Sequence, residues 1–153
     1  MSDIILPAPT PERPEILAPA GDAQCFTAAL AAGADAVYLG LKHFSARMQA
    51  ENFGLTDLSR LTDLAHEEQA RVYVAMNVLV KPQETAAAYR LIHRLARQVR
   101  PDGIIVQDLA MLDLAGIPFY SKDRDEHWPL IVAGGPCACN AEPIADFFDV
   151  VQL

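Results

Sequence analysis

The stretch PEILAPAGDAQCFTAALAAGADAVYLG, from Pro14 to Gly40, carries the reading that decides the fold. Ile16-Leu17-Ala18 is a short apolar run that stops at Pro19-Ala20-Gly21, a strand entering a tight turn. Asp22 can cap a helix whose apolar stripe is Cys25, Phe26, Ala29 and Leu30, and Gly33 ends that helix. Ala36-Val37-Tyr38-Leu39-Gly40 then reads as a second strand. Strand, helix and strand in this order form a βα unit with a parallel crossover.

The same alternation continues outward. A long loop, LKHFSARMQAENFG, leads to Thr56, a good N-cap for a helix that buries Leu58, Leu61, Leu64 and Ala65. Val72 to Asn77 is a third strand, rich in β-branched and aromatic residues. A helix from about Gln83 to Arg100 packs Ala88, Ile92, Leu95 and Val99, and Gly103 to Val106 is a fourth strand. A short helix from Leu109 to Ala115 lies between Asp108 and Gly116. Leu130 to Ala133 reads as a fifth strand, and Asn140 as the cap of a helix with Ile144, Ala145, Phe147 and Phe148 on its apolar side. Asp149 opens a sixth strand. The expected class is α/β, a parallel sheet of about five to six βα units covered on both sides. It is either a partial TIM barrel or an open doubly wound sheet, because a complete barrel needs about 250 residues.

Composition places limits on function. The chain has 153 residues, 52% hydrophobic and 21% charged, as in globular proteins. No apolar run reaches the ~18–20 residues of a membrane helix, and the N-terminus lacks the basic and apolar regions of a secretory signal. A cytoplasmic location and no membrane partner are expected. Residues 7–14 hold four prolines, so residues 1–13 are read as a mobile lead-in. Charge is divided unevenly: residues 1–100 hold ten Lys+Arg against eleven Asp+Glu, and residues 101–153 hold two against nine. The pattern also changes near Met111, which divides the chain into segments 14–110 and 111–153. The second segment is expected to continue the same sheet.

PEILAPAGD (14–22), AGADAVYLG (32–40), HFSARMQAENF (43–53), VYVAMNVLV (72–80) and DGIIVQDL (102–109) resemble the collagenase-like peptidase U32 family in order and spacing. That resemblance implies the opening of a TIM-like barrel. Its complete members carry peptidase names or act as iron–sulfur proteins in hydroxylation of tRNA, ribosomal RNA or a quinone precursor. Their cluster cysteines belong to a later region. From Met111 the chain instead is similar to the N-terminal, cobalamin-binding-like region of a radical SAM family, through MLDLAGIP (111–118), the SKDRDE segment and PLIVAGGPCACNAEPIADFFD (129–149). The radical SAM Cys-x₃-Cys-x₂-Cys motif and the cobalamin Asp-x-His-x-x-Gly motif are absent. The joint reading is a truncated or chimeric U32 peptidase-like protein with little independent catalysis. The alternative is a cobalamin- or nucleotide-binding module of a radical SAM protein, or a non-catalytic fragment. No cofactor is expected within the chain; an iron–sulfur cluster, cobalamin or S-adenosylmethionine belongs to complete relatives only.

In a barrel, reactive groups gather at the C-terminal ends of strands. That rule selects Asn77, Asp108 and Arg47 as catalytic candidates, and Gly21, Lys42, Arg47, Asn52 and Gln107 as substrate-binding candidates. An amide offers donor and acceptor, a carboxylate accepts, and a guanidinium grips an anion. Asp22 and Asp108 serve equally well as helix caps. Gly134 and Gly135 could admit a nucleotide or cofactor tail to the end of the fifth strand. Cys25 reads as core, and Cys137 and Cys139, one residue apart, give neither a metal set nor an ordinary bridge. No Gly-x-Ser-x-Gly elbow supports a serine hydrolase. Arg90, Arg94 and Arg97, with Arg100, suggest an RNA-facing patch, but a solvated face is the stronger reading because no aromatic residues interleave. RNA or a small molecule is the expected substrate, and an open sheet edge could support self-association.

Overall fold

The computed structural model describes residues 15–45, 53–134 and 140–151. Four strands, β1 (Leu17–Ala20), β2 (Ala36–Gly40), β3 (Arg71–Met76) and β4 (Gly103–Val106), form one parallel sheet in the order β1-β2-β3-β4. Between them run α1 (Ala23–Ala31), α2 (Leu55–Glu67) and α3 (Thr85–Arg94), and α4 (Ala110–Ala115) follows β4. A strand order without reversal settles the choice between architectures. Successive right-handed crossovers then place every helix on one face, as in a barrel wall, whereas a doubly wound sheet requires a reversal.

The packing agrees with that topology. Val37, Leu39 and Leu41 join Val72, Val74 and Met76 in one core with Phe26 of α1, Leu58 and Ala65 of α2, Ala88 and Ile92 of α3, and Met111 of α4. The alternate residues point to the other face, where Leu17 is 47% and Ile105 40% exposed. The expectation of cover on both sides is therefore corrected among the described residues: the helices pack one face. Tyr73 leans across β4 on the barer face. A Cβ at Gly103 would lie 3.0 Å from Cδ1 of Tyr73, so glycine makes room for the ring.

Local chemistry sets the element ends. Asp22 Oδ1 accepts a 2.7 Å hydrogen bond from the Cys25 N–H, and Gly33 leaves α1 at φ +80°. Gly116, at φ +72°, ends α4 in the same left-handed conformation. Thr56 does not cap α2. Phe53 is buried and bridges Leu41, so the chain is already aligned and the helix starts at Leu55 after Gly54. The helix expected from about Gln83 to Arg100 is built in three parts. A 3₁₀ turn at Pro82–Glu84 precedes α3, and a π-helical turn at Leu95–Val99 follows it and keeps Leu95 and Val99 buried. Cys25 is exposed, not core, because Phe26 takes the buried position of α1.

Past α4 the four-stranded sheet gains no further strand among the described residues. β5 (Val132–Ala133) and β6 (Val150–Val151) pair in parallel with each other in a separate two-stranded sheet. Among the described residues six strands are present, divided four and two, so the expectation of one continuous sheet is corrected there. Glu142–Phe147 between them is a 3₁₀ helix with Ala141 at its N-cap, so Asn140 does not cap it. The Arg124 guanidinium holds this segment together. It donates to the carbonyls of Pro118 (2.8 Å), Phe119 (3.0 Å) and Phe147 (2.8 Å), and to Asp149 at 2.9 Å. These partners compensate for burying a cation that is only 2% exposed. Met111 is itself a residue of the core under the four-stranded sheet.

Candidate functional site

The C-terminal ends of β1 to β4 form one rim. On the β1–β2 side, a cleft of about 540 Å³ is lined by Asp22, Ala23, Lys42, Phe53, Asp57, Arg60 and Leu61. It lies where α1 and α2 begin, so two helix N-termini and two cations border it alongside two carboxylates. Asp22 is not free for proton chemistry there. The N–H of Cys25 holds its carboxyl below the ordinary value of 3.8, which fits an ionised N-cap. Phe53 is anchored by its N–H to the Gly40 carbonyl at 3.2 Å, and Lys42 is exposed at the edge.

On the β3–β4 side, the pairing of Met76 with Val106 places Asn77 and Gln107 next to one another beyond the last paired residues. Asn77 is half-buried and Gln107 exposed. Asp108 is committed to structure. Its Oδ2 accepts from the Val80 N–H at 3.1 Å and its Oδ1 from the Ala110 N–H at 3.0 Å. One carboxylate thus ties the loop after β3 to the start of α4.

The structure therefore unites Lys42 with Asp22 in one cleft, and Asn77 with Gln107 at adjoining strand ends. Gly21 sits at the end of β1, and Gly134 follows β5 outside this rim. Arg47, Asn52 and Gly135, with Cys137 and Cys139, lie outside the described residues. Sequence reasoning missed Arg60 and Asp57. The signal was their placement on the first two turns of α2, which turns them toward the rim that α1 also borders.

Ionic contacts elsewhere serve the fold. His66 Nε2 lies 2.9 Å from Asp102 Oδ2, which also accepts from the Val72 N–H, joining α2, β3 and the start of β4 at the opposite rim. Among the described residues, no three His, Cys, Asp or Glu side chains gather as a metal set, and Cys25 stands alone on α1. The described residues thus do not fit an iron–sulfur cluster.

Residues 21–120 match the family model for peptidase family U32. The chain belongs to the U32 family. The match runs past Met111 to the end of the α4 region. The chain is 41% identical over 102 residues to the 23S rRNA 5-hydroxycytidine C2501 synthase of Escherichia coli, covering 67% of this chain and 15% of that protein. It is 30% identical over 99 residues to a collagenase of Porphyromonas gingivalis, covering 64% and 24%. It is 28% identical over 102 residues to tRNA hydroxylation protein P1 of Bacillus subtilis, covering 67% and 24%. The chain thus spans a quarter or less of these relatives. The solved structure of the U32 peptidase Mk0906 superposes with a TM-score of 0.53 at 11% identity, over 65% of this chain and 43% of that one. This likeness supports the partial barrel wall. The U32 relatives include both peptidase names and tRNA or rRNA hydroxylation names.

Proposed function

We propose that this U32 chain is the RNA-holding part of a nucleic-acid hydroxylation system in the cytoplasm. The observation that carries this reading is the 41% identity over 102 residues to an rRNA 5-hydroxycytidine synthase. The rim chemistry suits it. The Asn77 and Gln107 amides can each donate to and accept from a base edge, while Lys42 and Arg60 neutralise phosphate. Gly21 allows close approach at the end of β1, and Arg47 and Asn52 are proposed as further substrate contacts. Oxidation chemistry is assigned to parts of the system beyond these residues.

Ultraviolet cross-linking of the tagged chain in cells, followed by sequencing, tests this. tRNA or rRNA fragments should be enriched, and the Asn77→Ala/Gln107→Ala variant should lose most of them. Absence of RNA enrichment, together with gelatin cleavage by the purified chain, would move the assignment to the peptidase side of the family.

A second reading rests on β5 and β6, a parallel pair joined through Gly134 and a helical connection. We propose on this basis that the part of segment 111–153 beyond the U32 match derives from a cobalamin- or nucleotide-binding region, with Gly134 and Gly135 at the tail of the ligand. Saturable spectral change on cobalamin titration would support it; a flat titration would end it. Self-association through the open β1 and β4 edges is proposed as well, and sedimentation velocity over a concentration series checks it.

A further inference from the structure

We infer that the outer face of α3 and the turn after it is a docking surface for single-stranded RNA, with Arg90, Arg94 and Arg97 on phosphates and the Tyr89–His93 ring pair under an unpaired base. This deepens the RNA reading above and rests on it. The chain carries 20 acidic residues against 12 basic ones, yet from Thr85 to Arg100 there are four arginines and no Asp or Glu. A third of the positive charge of an acidic protein is gathered on this one helical stretch. All four arginines are exposed. None of them makes an ion pair or a side-chain hydrogen bond among the described residues, whereas Arg71 pairs with Glu15 and Arg124 with Asp149.

A solvated helix face does not account for this arrangement. Arginines near a helix C-terminus are favoured by the helix dipole, which explains Arg94 and Arg97. Arg90 lies more than a turn before the end of α3 and gains little from it. A carboxylate three or four residues away would offer these arginines a stabilising partner, and the stretch from Thr85 to Arg100 has none. The aromatic content was the missing part of the sequence reading. Tyr89 is 49% exposed and its ring centroid lies 4.3 Å from that of His93, tilted by 55°. The two rings sit one residue before Arg90 and Arg94, so they flank the cation row along the same exposed side. Rows of fixed guanidinium groups beside an exposed ring are the elements that bind a polynucleotide strand without base pairing. A duplex would offer phosphates but no free base face to Tyr89, so the surface selects unpaired RNA.

Fluorescence anisotropy of the full chain with a labelled, unstructured 20-nucleotide RNA tests the inference. Arg90→Gln/Arg94→Gln/Arg97→Gln should weaken binding about tenfold or more, and lower the slope of log affinity against log salt by about 2, at ~0.7 per lost phosphate contact. The matching triple lysine variant should keep most of that slope. Tyr89→Ala should weaken binding roughly fivefold with the slope unchanged. Circular dichroism checks that each variant stays folded. Wild-type binding that survives the triple glutamine change overturns this surface and leaves the RNA reading standing. Failure of the wild-type chain to bind any RNA at low salt overturns both. Equal affinity for heparin, anionic vesicles and RNA would show a general anion surface and overturn the RNA assignment, and a DNA strand of the same sequence separates RNA from polynucleotide in general.

Discussion

Asp108 shows how a residue chosen for chemistry turns out to carry geometry. Both of its oxygens accept backbone N–H groups, from Val80 and Ala110. Asp108→Ala strands both donors and should cost about 1–3 kcal/mol in urea unfolding, while Asp108→Asn keeps one acceptor and should cost less. An alanine variant as stable as the parent would return Asp108 to the list of free carboxylates. Arg124 is the second such residue. Its fork reaches three carbonyls and Asp149 at once, which lysine cannot reproduce. Arg124→Lys should lower stability by about 1–3 kcal/mol and speed amide exchange at Asp149, whose N–H bonds the Ile131 carbonyl at 2.8 Å. Asp22 was legible from sequence because capping is local. The bond from the Ala110 N–H to Asp108 was legible for the same reason, but its bond from Val80, 28 residues away, was not.

At the level of elements, the strands and helices that alternate along the first hundred residues were legible because their periodicity is local. Their boundaries moved where distant contacts intervened, as at Leu55, which follows the burial of Phe53 against β2. The join between β3 and β4 depends on one exchange of volume. Gly103→Val would place atoms against the Tyr73 ring and should cost about 1–3 kcal/mol. Pairing it with Tyr73→Ala should give a cost well below the sum of the two single changes. Simple additivity in thermal unfolding would mean that the ring does not fill the space above β4.

For the whole molecule, acid should be the effective denaturant. Asp149 is held below the ordinary carboxyl value of 3.8 by its hydrogen bonds from Arg124, with burial opposing and the Ile131 N–H assisting. In Asp102 burial opposes ionisation most strongly, yet the Val72 N–H and His66 outweigh it and the value is again lowered. A lowered folded value contributes stability that is complete above the unfolded value and lost as pH falls through the folded one. Stability should therefore hold steady above about pH 5 and fall below about pH 4. Asp149→Asn should show a smaller acid loss from a lower starting point, followed by circular dichroism against pH. An acid profile identical to that of the parent would remove Asp149 from this account.

The sequence by itself determined the order of βα units, most of the apolar stripe of each helix, the helix caps at Asp22 and Gly33 and the family membership of the first two thirds. All of these depend on neighbours within a few turns or on motif order. Only the tertiary structure decided the strand order β1-β2-β3-β4, the face left without helices, and the departure of β5 and β6 into their own sheet. It also decided that Asp108 is tied down while the arginines around α3 are not. Pairing and charge neutralisation are set by what the fold brings within a few ångströms, and the chain cannot express that in local pattern.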